Sequence, residues 1–254
     1  TPVIQSPQEL DEEARQNEIL KSQSTEVAFQ IDEVQETAKN SLDFLAGLAT
    51  PETYKYAFPP VYLSVWQWLL TYIHKTRDFS QLALGLPRGF AKTSLIKLFL
   101  LYTILYTDRK FIAVMAENTT KAINIVADVM DMLSEHNIRK VFGDWRTGVE
   151  TDRQDLKKFG FRGRNITVLA GTIETIRGIN LKNSRPDVMI FDDVQSRVMA
   201  ESQTVSEALE REMYGTAMKA KSPEGCLFIF IGNNVHVLGE YSLFPSTNKS
   251  LSNS

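Results

Sequence analysis

The segment Gln81-Leu82-Ala83-Leu84-Gly85-Leu86-Pro87-Arg88-Gly89-Phe90-Ala91-Lys92-Thr93-Ser94 passes from an apolar run, through a Pro/Gly turn, into a helical pattern that opens at Lys92-Thr93. A helix that starts directly after a strand turns its unpaired N–H groups and positive dipole end toward the turn, which makes a ready anion site. An ammonium and a hydroxyl at that point suit a phosphate chain and its cation. Lys92 would meet the terminal phosphates and Thr93 would ligate Mg²⁺. The match to GxxxxGK[ST] is incomplete: Leu86 and Ala91 stand at the glycine positions, with Gly85 and Gly89 beside them. An ordinary strand-to-helix turn with a lysine in its first helical turn also satisfies this segment.

Two later segments weigh on that choice. Val188-Met189-Ile190-Phe191-Asp192-Asp193, about 100 residues downstream, is an apolar strand ending in two carboxylates. Adjacent carboxylates repel unless a cation or proton lies between them. In phosphoryl-transfer enzymes the first such acid holds the Mg²⁺ shell and the next orients the attacking water; two solvated acids at a strand end are the plainer alternative. Leu227-Phe228-Ile229-Phe230-Ile231 then leads into Gly232-Asn233-Asn234. Amides at the C-terminal edge of a parallel sheet lie beside the crevice where ligands bind, and can report whether a terminal phosphate is present. A Gly-Asn turn explains them as well.

Between these landmarks, short apolar runs alternate with helical stretches. Strands are predicted at 81–86, 111–116, 166–170, 187–191 and 227–231, and helices at 93–106, 119–136 and 204–220. Near-continuous apolar strands alternating with helices imply an α/β fold with a mostly parallel sheet covered on both faces. Upstream, apolar clusters at 42–45 and 65–70 flank Phe58-Pro59-Pro60, a pattern for two helices joined by a Pro-rich turn.

Composition sets the outer limits. The 254 residues suffice for one large α/β domain, with hydrophobic and charged fractions of 43% and 23% that are ordinary for a globular chain. Cys226 is the single cysteine, so no internal disulfide forms, and no Cys/His spacing suits zinc. The longest apolar stretch, 95–106, is too short to span a bilayer and contains Lys97. Residues 1–45 hold ten acids and three bases; with −3 overall, that leaves +4 on the remainder. Residues 1–40 read as an acidic, flexible arm with a helix near 24–40, residues 41–240 as the catalytic body (41–80 a helical lead-in, 81–240 the sheet core), and 241–254 as a loose tail. The start at Thr1 suggests a fragment or processed chain.

Taken in order, these segments resemble the ATPase domain of the large terminase subunit of tailed bacteriophages, over about residues 41–240. The telling detail is Arg88: members of that family carry a deviant phosphate loop with an early arginine and Gly or Ala before the lysine, the form of Pro87-Arg88-Gly89-Phe90-Ala91-Lys92-Thr93. The resemblance implies a P-loop fold of the additional-strand type, a mostly parallel central sheet flanked by helices with an N-terminal helical extension. It implies ATP and Mg²⁺ as cofactors, with Pro87, Arg88, Gly89, Phe90, Ala91, Lys92, Thr93 and Ser94 around the phosphates and Thr93 and Asp192 on the metal. By position, Val65-Trp66-Gln67 is similar to the family's adenine-reading motif, so Gln67 is the candidate for the base edge. Asn233 and Asn234 match the coupling position, and Thr175-Ile176-Arg177-Gly178 resembles the Arg-Gly that supplies an arginine finger, with Arg185 and Arg164 as competitors.

The implied catalytic set is Lys92, Asp193, Arg88 and Arg177. Many relatives have Asp-Glu where this chain has Asp192-Asp193, which leaves Glu174 or Glu117 open as the base. The implied partners are double-stranded DNA, a portal protein, a small terminase subunit and further copies of the chain in a homo-oligomeric ring, with no membrane; the implied location is the host cytoplasm, transiently on the procapsid. Only 14 residues follow Glu240, none acidic, so nuclease activity is not expected from this chain. Arg153, Lys157, Lys158, Arg162 and Arg164 form a basic run that reads as a DNA contact, as a solvated loop, or as a surface that meets the acidic face of a neighbouring subunit. A helicase-like nucleic-acid-dependent ATPase and a turnover-deficient assembly module of the same fold remain open beside the packaging motor.

Overall fold

A computed structural model describes residues 30–75, 77–85, 89–177, 184–194, 215 and 218–232. Seven strands form one sheet: β1 (Phe79–Gly85), β2 (Phe111–Ala116), β3 (Val149–Asp152), β4 (Leu156–Phe161), β5 (Arg164–Gly171), β6 (Val188–Asp192) and β7 (Cys226–Gly232). Their order is β1-β7-β6-β2-β5-β4-β3. The first five in that order are parallel, and β4 and β3 close the far edge antiparallel. Every residue of β2, β6 and β7 is buried, because helices and chain cover both faces of the central strands. That is why these three read as unbroken apolar runs.

Helices pack the first face. Residues 30–40 form α1, followed by α2 (Leu42–Ala49), α3 (Pro60–Ile73), α4 (Lys92–Tyr106), α5 (Thr119–Ser134) and α6 (His136–Phe142); α7 (Ile173–Arg177) follows β5. Ser41 caps α2 by accepting from the Phe44 amide, and α3 opens with Pro60 in its first turn, where no N–H partner is needed. α3 buries Tyr62, Trp66, Leu69 and Ile73, one stripe at helical spacing, against α4. α4 is buried nearly all round because the sheet lies beneath it and α2, α3 and α5 lie against it. A second, smaller core of Met115, Met189, Phe191, Phe228 and Phe230 lies under the opposite face. None of the described helices is long and apolar enough to cross a membrane.

Three readings change. Residues 30–40 form a helix, as expected near 24–40, but it is seated on the body rather than part of a flexible arm: Ala38 is buried, and Gln35 donates to Val141 O while its own carbonyl accepts from Tyr106. The helix expected over 119–136 ends at Ser134, because Glu135 turns extended and caps α6. The basic run is not a loop but the hairpin β4–β5 with β3 beside it, its Leu156, Phe159 and Phe161 turned into the core. Four of its cations are engaged within the chain. Arg153 pairs with Asp155, Lys157 with Asp152, Arg162 bonds Gln35 and lies over the Phe142 ring, and Arg164 donates to Thr107 O and Ile104 O. The helix predicted at 204–220 lies outside the described residues except for a turn at Met218–Ala220.

Candidate active site

All the parallel strands end at one edge, and their register brings distant motifs together. Gly85 of β1 lies opposite Gly232 of β7, Ile231 opposite Asp192 of β6, and Asp192 opposite Ala116 of β2. β7 therefore stands between the strand that feeds α4 and the strand that carries the acids. At about 4.8 Å between neighbouring strands, the ends of β1 and β6 are set roughly 10 Å apart. A strand inserted between these two is the topological feature expected of an additional-strand fold.

The turn that leads into α4 includes Gly89, whose φ of +87° favours a residue without a Cβ. Ala91 supplies no side-chain cap to α4, whereas Ser41 and Asn118 cap α2 and α5. Lys92 is 8% exposed and donates its ammonium to Gly232 O at 3.3 Å. Thr93 beside it is half-buried and Ser94 exposed. Phe90 stacks on Tyr62 of α3, with ring centroids 6.1 Å apart.

Asp192 is 2% exposed, and its Oδ1 has no hydrogen-bond partner among the described residues. Burial, aided by repulsion from Asp193, pushes its carboxyl up to about 6, against the pull of Lys121 and Lys92. A dry carboxylate oxygen with an unused lone pair is a fit for a hard cation, with the Thr93 hydroxyl as a second oxygen donor. Asp193 takes the left-handed conformation at φ +44°, costly for a residue with a Cβ, while its N–H donates to Ile231 O at 2.8 Å. Its Oδ2 lies 3.8 Å from Lys121 Nζ.

The other expected residues fall as follows. Leu86, Pro87, Arg88, Asn233 and Asn234, and the side chain of Arg177, lie outside the described residues. Gln67 is exposed on α3, off the buried stripe; the described ring contact between α3 and the loop is made by Tyr62 instead. Glu117 is exposed just beyond the end of β2, at the same edge as Asp192, and Glu174 is exposed in α7. The competing arginines sit at the opposite edge. Arg164 holds carbonyls at the C-terminal end of α4, roughly 20 Å along the helix from Lys92, and Arg185, ahead of β6, donates to Lys219 O.

Two residues were not singled out from the sequence. Lys121 had a signal: Asn118-Thr119 is a helix start directly after an apolar strand of the same sheet edge. Arg109 had none. It is 1% exposed and ties three segments by donating to Ile73 O, Lys75 O and Asp187 O.

No protein-family model matches the sequence, and no curated protein does. Among solved structures, the chain is similar to the HK97 bacteriophage large terminase at 17% identity and a TM-score of 0.46, covering 72% of this chain and 34% of that one. It is similar to the large terminase of a thermophilic bacteriophage in complex with ATP-gamma-S at 14% identity and TM-score 0.44, covering 69% and 38%. A variant of S. cerevisiae dbp5 bound to gle1 and ip6 matches at 13% identity and TM-score 0.42, covering 77% and 46%. The chain thus spans 34% and 38% of the length of the two terminases.

Proposed function

We propose that this chain is the ATP-hydrolysing motor domain of a viral DNA-packaging terminase, coupling hydrolysis to movement of double-stranded DNA into a procapsid. The observation that carries the reading is the buried Asp192 Oδ1, without a hydrogen-bond partner among the described residues, at the sheet edge where α4 opens with Lys92. The Arg88 and Ala91 form of the loop, which resembles packaging motors, supports the choice of motor.

In this reading the triphosphate lies over the first turn of α4, whose N–H groups and Lys92 neutralise it. Lys92 exchanges the Gly232 carbonyl for the terminal phosphates. Thr93 and Asp192 would hold Mg²⁺, which would offset phosphate charge. Asp193 orients a water in line with the terminal phosphorus; the new P–O bond forms as the bond to ADP breaks. Arg88 in cis, or Arg177, stabilises the charge that develops. Gln67, on the exposed flank of α3, is the candidate for the adenine edge. Because Asn233 and Asn234 follow Gly232 directly, release of that carbonyl by Lys92 gives a path from the phosphate to the end of β7 and on to the DNA-gripping surface.

Phosphate release measured with and without DNA tests this. Weak basal hydrolysis, abolished in Lys92→Ala, is the expected result; ATP binding with no release under any DNA condition would sink the enzyme and leave an assembly module. Strand separation on a free duplex, without translocation into a capsid, would favour the helicase-like alternative.

A further inference from the structure

We propose that Lys121 is a built-in counter-ion that keeps the Asp192–Asp193 pair closed to a divalent cation until a nucleotide arrives; this rests on the function proposed above. Lys121 sits in the first turn of α5, and its backbone is fixed there because the Asn118 side chain accepts from its N–H at 2.9 Å. α5 starts just beyond β2, whose Ala116 lies opposite Asp192, so the helix start stands beside the acids. From that position Lys121 Nζ reaches to 3.8 Å from Asp193 Oδ2. The left-handed turn at Asp193 sets its carboxylate off the line of β6, where the ammonium meets it.

The charge balance of the edge gives this contact its consequence. Among the described residues, Lys92 and Lys121 face Asp192 and Asp193, two cations against two anions, while Lys97 is engaged with Asp128 and Glu117 is exposed to solvent. A divalent cation entering such a neutral cluster gives up hydration without a net attraction, and the nearby ammonium repels it. A triphosphate changes both conditions: it draws Lys92 onto itself and adds negative charge of its own. Cation and nucleotide then load together, and Asp193 is freed from Lys121 to meet the attacking water.

The test is a Mn²⁺ titration of the nucleotide-free protein, read by the EPR signal of the free ion. Lys121→Met should bind Mn²⁺ about tenfold more tightly than wild type, since a repelling charge and a competitor for Asp193 are both gone. Lys121→Arg should bind as wild type does, and Lys140→Met, at an exposed position of α6, should change little. A residue that merely held the local fold would give the opposite sign, because its loss would loosen the acids. Lys121→Gln serves as a second neutral variant, and unfolding midpoints confirm that the proteins compared are folded. Unchanged or weaker Mn²⁺ binding in folded Lys121→Met and Lys121→Gln, with Mn²⁺–ATP still bound by wild type, would overturn the inference alone. Failure of wild type to bind Mn²⁺ even with ATP would remove the functional reading and the inference together.

Discussion

Lys92, in the first turn of α4, donates its ammonium to the carbonyl of Gly232 at the end of β7, the strand that lies between β1 and β6. The contact holds a buried cation in place without a ligand. It also means that whatever takes the ammonium away acts on β7 at once.

Replacing Lys92 by Met should separate these roles. Met keeps the aliphatic length, so urea unfolding should shift by no more than about 2 kcal/mol, the worth of one hydrogen bond to a charged group. Phosphate release should fall by at least roughly a hundredfold, as for loss of a donor to the reacting phosphoryl group. A variant that unfolds readily and yet hydrolyses ATP would contradict this assignment.

Asp192 should make the metal-free fold sensitive to pH. Its carboxyl is raised from 3.8 to about 6, so the folded chain prefers the neutral form and ionisation costs it stability. Through this group, stability in EDTA is full below about pH 4, declines between about pH 4 and 6, and is flat above; at 1.36 kcal/mol per unit the loss is on the order of 3 kcal/mol. Asp192→Asn should therefore be more stable than wild type at pH 7.5, lose most of that advantage at pH 4, and hydrolyse no ATP. Denaturant unfolding of both proteins at the two pH values checks the sign.

Arg109 carries a structural prediction of its own. Its guanidinium serves three carbonyls from the end of α3 and the start of β6, and Asp187 beside it accepts from the Lys110 and Phe111 amides. Burial lowers the Arg109 pKa and raises that of Asp187. Lysine cannot span three diverging acceptors, so Arg109→Lys should cost about 2 kcal/mol, and Arg109→Met, which orphans all of them, about 3–5 kcal/mol. Chemical denaturation distinguishes the two.

Gly148, at the entry to the hairpin, admits no side chain. A Cβ there would lie 2.1 Å from the Gly160 carbonyl oxygen, a backbone atom that cannot swing aside. Gly148→Ala should destabilise the chain by about 1–3 kcal/mol, with amide exchange rising first in β3 and β4.

The run 111–116 coincides with β2, and the runs near 188 and 227 coincide with β6 and β7 to within a residue or two, because strands covered on both faces must be apolar throughout. The helix opening at Lys92 and the acids closing β6 were legible for the same local reason: composition changes sharply where a strand leaves the sheet. The expected strand 166–170 lies within β5, but β4 beside it was hidden because Lys157 and Lys158 interrupt its apolar pattern; Asp152, which pairs with Lys157, is recognisable as its partner only once β3 lies against β4. By itself, then, the sequence determined the central apolar strands, the helix that opens at Lys92 and the acids that close β6. Only the tertiary structure decided that β7 lies between β1 and β6, that Lys92 reaches Gly232, and that Lys121 stands over Asp193. Periodicity records burial within a few residues, whereas strand order is chosen by hydrogen bonding and packing between segments far apart in the chain, and the site exists only where that order places them.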